Sequence, residues 1–290
     1  MKKLVLVHGR AQEGKDRTQL RWTWIKALEE GLAKNSLKLP VDTKAILFPF
    51  YGDRLDEIIA GRGDEPIERT RGSTDDEFEI QFKRQVLDEI RLSAGLTDQM
   101  VIEASGDPAI DKGILNWKWL QSILRAFDRY VPGMSGTTVN MFTHDVYVYL
   151  HQPGVRDEID KIVRQDIPTG EECVVVGHSL GAIVTFGILR RDERDLKIAQ
   201  YITVGAPLAL RAIQSSFNPL DCPRCVSDWF NARDSRDVVA LHPLERPHFN
   251  VSCNITNKSD VDNFTANRHG IIGYLSDPVV SKKIYEALLQ

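Results

Sequence analysis

Short apolar runs alternate along this chain with longer stretches in which apolar residues recur every third or fourth position. Leu4–Val7 is a run of aliphatic residues and predicts a buried strand. Over 17–34, Leu20, Trp24, Leu28 and Leu32 stand four apart and predict one face of a helix. Val41–Phe48 predicts a second strand, ended by Pro49, and Cys173–Val176 a third, followed by a helix to about Arg191. Ala199–Val204, Val226–Asn231 and Phe249–Ile255 predict strands four to six. Pro278 suits the first turn of a final helix over Val279–Leu289. Strands alternating with helices predict an α/β fold: a mostly parallel sheet of about six strands with helices on both faces.

Strands two and three are separated by residues 51–172, far more than one crossover helix needs. The stretch opens with Gly61-Arg62-Gly63-Asp64-Glu65-Pro66, which predicts a flexible loop. Phe78, Phe82, Val86 and Ile90 are then spaced for a helix, as are Trp117, Leu120, Leu124 and Phe127. Thr137–Gln165, with Val146, Tyr149, Leu150, Ile159, Ile162 and Val163, reads as the ordinary crossover. The chain therefore divides into a core of residues 1–54 and 136–290 and an inserted helical cap or lid over 55–135. Trp117, Trp119, Tyr130, Val131 and Met134 either line a substrate pocket or attach the cap to the core, and Trp117, Trp119 and Met134 are the candidate substrate contacts.

With 290 residues, 42% hydrophobic and 27% charged, the chain has the composition of a soluble globular protein. A net charge of −4 lacks the basic footprint of a nucleic-acid binder. The apolar run after Met1-Lys2-Lys3 is too short for a secretion signal, and none approaches the ~20 residues of a membrane span. A cytoplasmic location is expected. Cys173 and Cys253 sit in or beside apolar runs and are expected to pack as small core residues. Cys222-Pro223-Arg224-Cys225 lacks the second ligand pair zinc requires, so a loop disulfide or two free thiols is expected there.

The chemistry concentrates in Val174–Gly181. Three valines are followed by Gly177-His178-Ser179-Leu180-Gly181 and then by the apolar run Ala182–Leu189. Strand, G-x-S-x-G, helix is the context of a nucleophile elbow, in which a serine stands on a tight strand-to-helix turn. Serine needs a base, and the base a third group to fix its tautomer. In the order Ser, acid, His, the loop after strand five offers Asp237, with Asp234 as its rival, and the loop after strand six offers His269. His242 and His248 precede strand six and are expected to cap loops or face solvent. His144 and His151 precede the elbow, and His178 is expected to pack sideways. The oxyanion donors are expected to be the backbone N–H of Leu180 and that of Arg10, with Ala11 next, in the loop after strand one. The Arg10 side chain is either an anion contact or an exposed loop arginine.

These segments together resemble the α/β-hydrolase superfamily, in its lipase/esterase-like form. The matching residues are Leu4–Gly9, Val175–Gly181, Thr203-Val204-Gly205-Ala206-Pro207-Leu208, Asp237-Val238-Val239 and His269. The resemblance covers 1–50 and 137–290 and leaves out the insert. It implies serine hydrolase chemistry on carboxylic esters, with neither a metal nor an organic cofactor. The implied partner is a small-molecule or lipid ester, with transient membrane-surface contact and no nucleic acid. A thioesterase, amidase or acyltransferase on the same triad, or a non-catalytic binding protein that kept the fold, are the alternatives.

Overall fold

Six strands make one fully parallel sheet in the computed structural model, which describes residues 2–61, 73–113 and 115–290. They are β1 (Lys3–Val7), β2 (Ile46–Leu47), β3 (Glu172–His178), β4 (Lys197–Val204), β5 (Trp229–Ala232) and β6 (Ile255–Lys258), in the spatial order β2-β1-β3-β4-β5-β6. The chain leaves β1 towards one edge and later returns across it to β3. Loops after β1 and β3 therefore diverge and open a crevice at the carboxyl ends of the strands, where parallel sheets bind ligands. Register sets the depth of that crevice: Val7 pairs with Gly177, His178 with Val204, and Val204 with Ala232, so four strands end nearly level.

Alternation along the strands explains the uninterrupted valine and leucine runs, because both faces are buried. Leu4, Leu6, Val174, Val176, Ile202 and Val204 point into one apolar cluster, covered by α1 (Arg17–Ala33), α10 (Ile271–Leu275) and α11 (Pro278–Leu289). Val5, Val7, Val175 and Tyr201 point into the other. That face carries α6 (Gly136–His151), α7 (Pro153–Asp166) and α8 (Leu180–Arg191). Asp16 caps α1 by accepting from the Gln19 amide, and Trp24, Leu28 and Leu32 form its buried stripe. Among the described residues no helix is long and apolar enough to cross a membrane.

Strand two is shorter than expected. Thr43–Ala45 form a 3-10 turn, capped by the Asp42 carboxylate on the Lys44 amide, which leaves only Ile46–Leu47 extended. Strand five starts at Trp229, with Val226 making a single bridge to Ile198. Strand six falls on the half-polar Ile255–Lys258 instead of Phe249–Ile255. Phe249 is apolar because it packs on Phe186 and Trp229, ahead of the strand. Cys253 is not a core thiol either: it is joined to Cys222, while Cys225 remains free. Burial pushes the free Cys173 thiol up to about 12.

Between β2 and α6 stand α2 (Gly52–Ile59), which straddles the expected boundary at 54/55, then α3 (Ser73–Ser93), α4 (Asp98–Ser105) and α5 (Trp117–Tyr130). Of the glycine-rich segment, residues 62–66 lie outside the described residues. On α3, Phe82, Val86 and Ile90 are buried but Phe78 is exposed, so the apolar stripe begins one turn later than its spacing suggests. Helices α3 and α5 pack against α6, and their buried side chains join the cluster on that face of the sheet.

Candidate active site

Ser179 stands alone between β3 and α8, with φ 55° and ψ −123°. A non-glycine residue held there costs about 1–3 kcal/mol and persists only where its surroundings enforce it. The flanking glycines make the turn possible by occupying little space. A Cβ on Gly177 would lie 2.7 Å from Thr185 Oγ1, and one on Gly181 would lie 2.4 Å from the carbonyl oxygens of Val7 and His8. Gly9 in the loop after β1 is also pressed close, since a Cβ there would sit 2.9 Å from Ser179 Cβ.

The structure brings Ser179, His269 and Asp237 into one hydrogen-bonded line. His269 Nε2 is 2.8 Å from Ser179 Oγ, and His269 Nδ1 is 2.7 Å from Asp237 Oδ2. A carboxylate can only accept, so Nδ1 carries the ring proton and Nε2 is left to accept from the serine hydroxyl. Asp237 is buried and well supplied with donors. Its Oδ1 accepts from the amides of Val239 (2.9 Å) and Ala240 (3.3 Å), and its Oδ2 accepts 2.6 Å from the Tyr274 hydroxyl. Burial pushes this carboxyl up; the His269 ring, the Tyr274 hydroxyl and the Val239 amide outweigh it and hold it below the usual carboxylate range.

The rival Asp234 is also buried, but its oxygens accept from the amides of Arg236 (2.8 Å) and Asn263 (2.9 Å). It ties the acid loop to the histidine loop and does not reach the imidazole. Tyr274, on α10, carries no sequence signal beyond an aromatic residue in an apolar helix. Gly205, with φ 57°, makes room for the ring: a Cβ there would lie 2.9 Å from Tyr274 and 3.3 Å from His269. His178 packs sideways, its Nε2 donating to the His269 carbonyl at 2.8 Å, and burial, with the His269 ring close by, lowers it to about 3. His242 and His248, both half-buried, stack on each other at 3.8 Å, and His144 bonds Glu79 at 2.8 Å.

Leu180 is the first residue of α8, so its amide has no intrahelical acceptor and lies next to the serine. Arg10 follows the tightly placed Gly9. The loop they share is clamped by His8, whose Nδ1 donates to the Gly9 carbonyl at 2.7 Å and whose Nε2 accepts from the Tyr51 amide at 3.1 Å. His8 also stacks on Tyr51 at 4.1 Å, and burial lowers it to about 4, keeping it neutral. The Arg10 side chain is neither exposed nor unpaired, because Nε donates to Asp145 Oδ2 at 2.6 Å and both side chains are largely buried.

A cavity of about 900 Å³ lies over Ser179. Val131 and Met134 from the α5–α6 loop, Val139 and Phe142 of α6, and Val238 and Val239 of the acid loop make its apolar wall. Trp117 and Trp119 do not reach it. Trp117 is 43% exposed with Lys83 over its ring, and Trp119 is fully buried among Arg84, Arg91 and Lys112. They stand at the start of α5, and a helix of this length carries its first residue roughly 20 Å from its last, so only the loop beyond Tyr130 meets the cavity. Among the described residues no group of His, Cys, Asp and Glu is placed to hold a metal ion. No family model matches the chain, and no curated protein matches it.

Proposed function

We propose that this chain is a serine hydrolase of the α/β-hydrolase fold that cleaves carboxylic esters through an acyl-enzyme. The observation that carries the reading is the unbroken Ser179–His269–Asp237 line beginning on a strained turn that lines a cavity. Ser179 Oγ attacks the ester carbonyl while His269 Nε2 takes its proton. Asp237 keeps the ring oriented and stabilises the cation that forms. The amides of Leu180 and Arg10 receive the oxyanion, and losing one such donor typically costs about 2.7–4 kcal/mol of transition-state stabilisation. His269 returns the proton to the departing alcohol and then activates water on the acyl-enzyme. The apolar wall from Val131 to Phe142 suits the acyl part of a substrate.

Residence in the cytoplasm is the location we propose. The Cys222–Cys253 bond weighs against it, because such bonds persist chiefly in oxidising compartments. Turnover of p-nitrophenyl butyrate tests the chemistry. Ser179→Ala is expected to reduce it about 10⁴-fold or more with the thermal transition retained. Turnover unchanged in that variant overturns the reading.

A further inference from the structure

The cavity over Ser179 is charged in one sense only. Arg10, Lys15, Arg236 and Arg268 line it, and no carboxylate side chain does among the described residues, although the chain as a whole carries −4. The four cations differ in how far they are committed. Arg10 is spent on Asp145. Arg236 and Arg268 share Asp262, at 2.6 and 3.1 Å, and the Asp262 side chain is 84% exposed; Arg268 Nη1 also donates to the Asn263 carbonyl at 2.9 Å. Arg236 also pairs with the buried Asp234 at 3.2 Å. Lys15 has no ion-pair partner among the described residues, and its Nζ is held only by the neutral Gln12 Oε1 at 3.1 Å.

We propose that the cavity binds an acyl compound bearing an anionic oxyacid group, phosphate or carboxylate, with Lys15 as its main counter-charge and Arg268 as the second. The apolar chain lies along Met134 and Phe142 and the anion sits at the cationic rim. Exposed ion pairs such as those to Asp262 contribute little on their own, so an incoming oxyanion can take over the Arg268 contact at small cost. Lys15, Arg268, Ser179 and His269 line the same cavity, so the anion shares its space with the reacting centre. Naming this ligand as a substrate rests on the hydrolase reading, whereas its binding does not.

Octyl phosphate, octanoate and octanol, titrated against the full chain and against Lys15→Gln, separate the possibilities. The better anion is expected to bind about tenfold more tightly than octanol, as charge-assisted hydrogen bonds warrant. Its advantage should shrink as salt rises from about 0.05 M to about 0.5 M. Lys15→Gln should remove most of that advantage and leave octanol binding alone, and Lys15→Arg should restore much of it. Which of phosphate and carboxylate binds more tightly identifies the group. Equal binding of all three probes, no binding of any, or an anion preference that survives in the Lys15→Gln/Arg268→Gln double variant overturns the proposal. Labelling of Ser179 by a fluorophosphonate in the same samples keeps the two readings apart. Label without anion preference sinks this inference alone; anion preference without label sinks the hydrolase reading.

Discussion

The crevice at the strand ends and the α3–α5 insert are built on opposite terms. Around the crevice the backbone is strained: Ala11, Ser179 and Arg268 all have positive φ and all line the cavity, and Ser36, at the end of α1, is the remaining non-glycine case among the described residues. In the described part of the insert positive φ occurs at glycine alone. Polar groups differ as well. Asp237 has a donor on each oxygen, whereas Trp119 Nε1 is buried without a hydrogen-bond partner and its ring is surrounded by three cations. The described part of the insert is regular helix joined by apolar packing and by ion pairs such as those of Arg91 and Lys112 with Asp98, and the crevice is irregular backbone held by hydrogen bonds. Strain kept at one place and over-determined by its neighbours marks where a protein orients groups for chemistry.

Substitutions on the two sides should therefore fail differently. The largest effect expected is on turnover: Asp237→Asn should lower kcat about 10⁴-fold, because the amide leaves the imidazole in the wrong tautomer. The thermal transition should survive. Trp117→Ala, at the far end of the insert, should leave kcat/KM within about twofold, since removing an exposed side chain away from the cavity disturbs nothing that touches substrate. A loss there comparable to that of Asp237→Asn would erase the distinction between the regions.

Stability should show the reverse. Trp119→Ala opens a void between α3 and α5 and should cost about 3–5 kcal/mol, seen as a lower denaturation midpoint, with activity per folded molecule retained. Ser179→Gly removes the side-chain penalty at φ 55°. It should raise stability by about 1 kcal/mol or more while abolishing turnover. A midpoint that does not move would mean the turn stores no strain.

Tyr274→Phe deletes one donor to Asp237 and should lower kcat about tenfold with KM unmoved, the worth of one hydrogen bond to a charged group. His178 is held well below its ordinary value, to about 3, so the unfolded chain takes up a proton there before the folded one does. Its contribution is complete above about pH 6.5 and is lost as pH falls towards about 3. The stability gap between the protein and His178→Gln, followed by thermal denaturation from about pH 7 to about pH 4, should accordingly narrow on acidification. A constant gap would contradict the buried neutral ring.

Much of this arrangement is legible in the amino-acid sequence. The valine run, the two elbow glycines and the apolar helix after them announce the bend at Ser179, and chain order directs attention to the loops that bring Asp237 and His269 beside it. What is not legible depends on contacts between distant segments. Tyr274 reads as a core aromatic because nothing local shows that its hydroxyl meets Asp237. Arg10 looks exposed or substrate-bound because Asp145 lies on α6, far away in sequence. Trp117 and Trp119 look like pocket residues because periodicity marks a helix face without saying which end of that helix approaches the crevice. Strand six is misplaced because an edge strand of the sequence Ile-Thr-Asn-Lys pairs through its backbone and the Asn231–Asn257 contact, while the apolar Phe249 before it serves the core.

Reaction of the native chain with a fluorophosphonate, followed by mass mapping of the adduct, bears most directly on the central claim. One modified residue is expected, Ser179, with labelling abolished by His269→Ala and sharply slowed by Asp237→Asn. A folded chain that stays unmodified, or that is labelled at Ser179 equally well without His269, would contradict it.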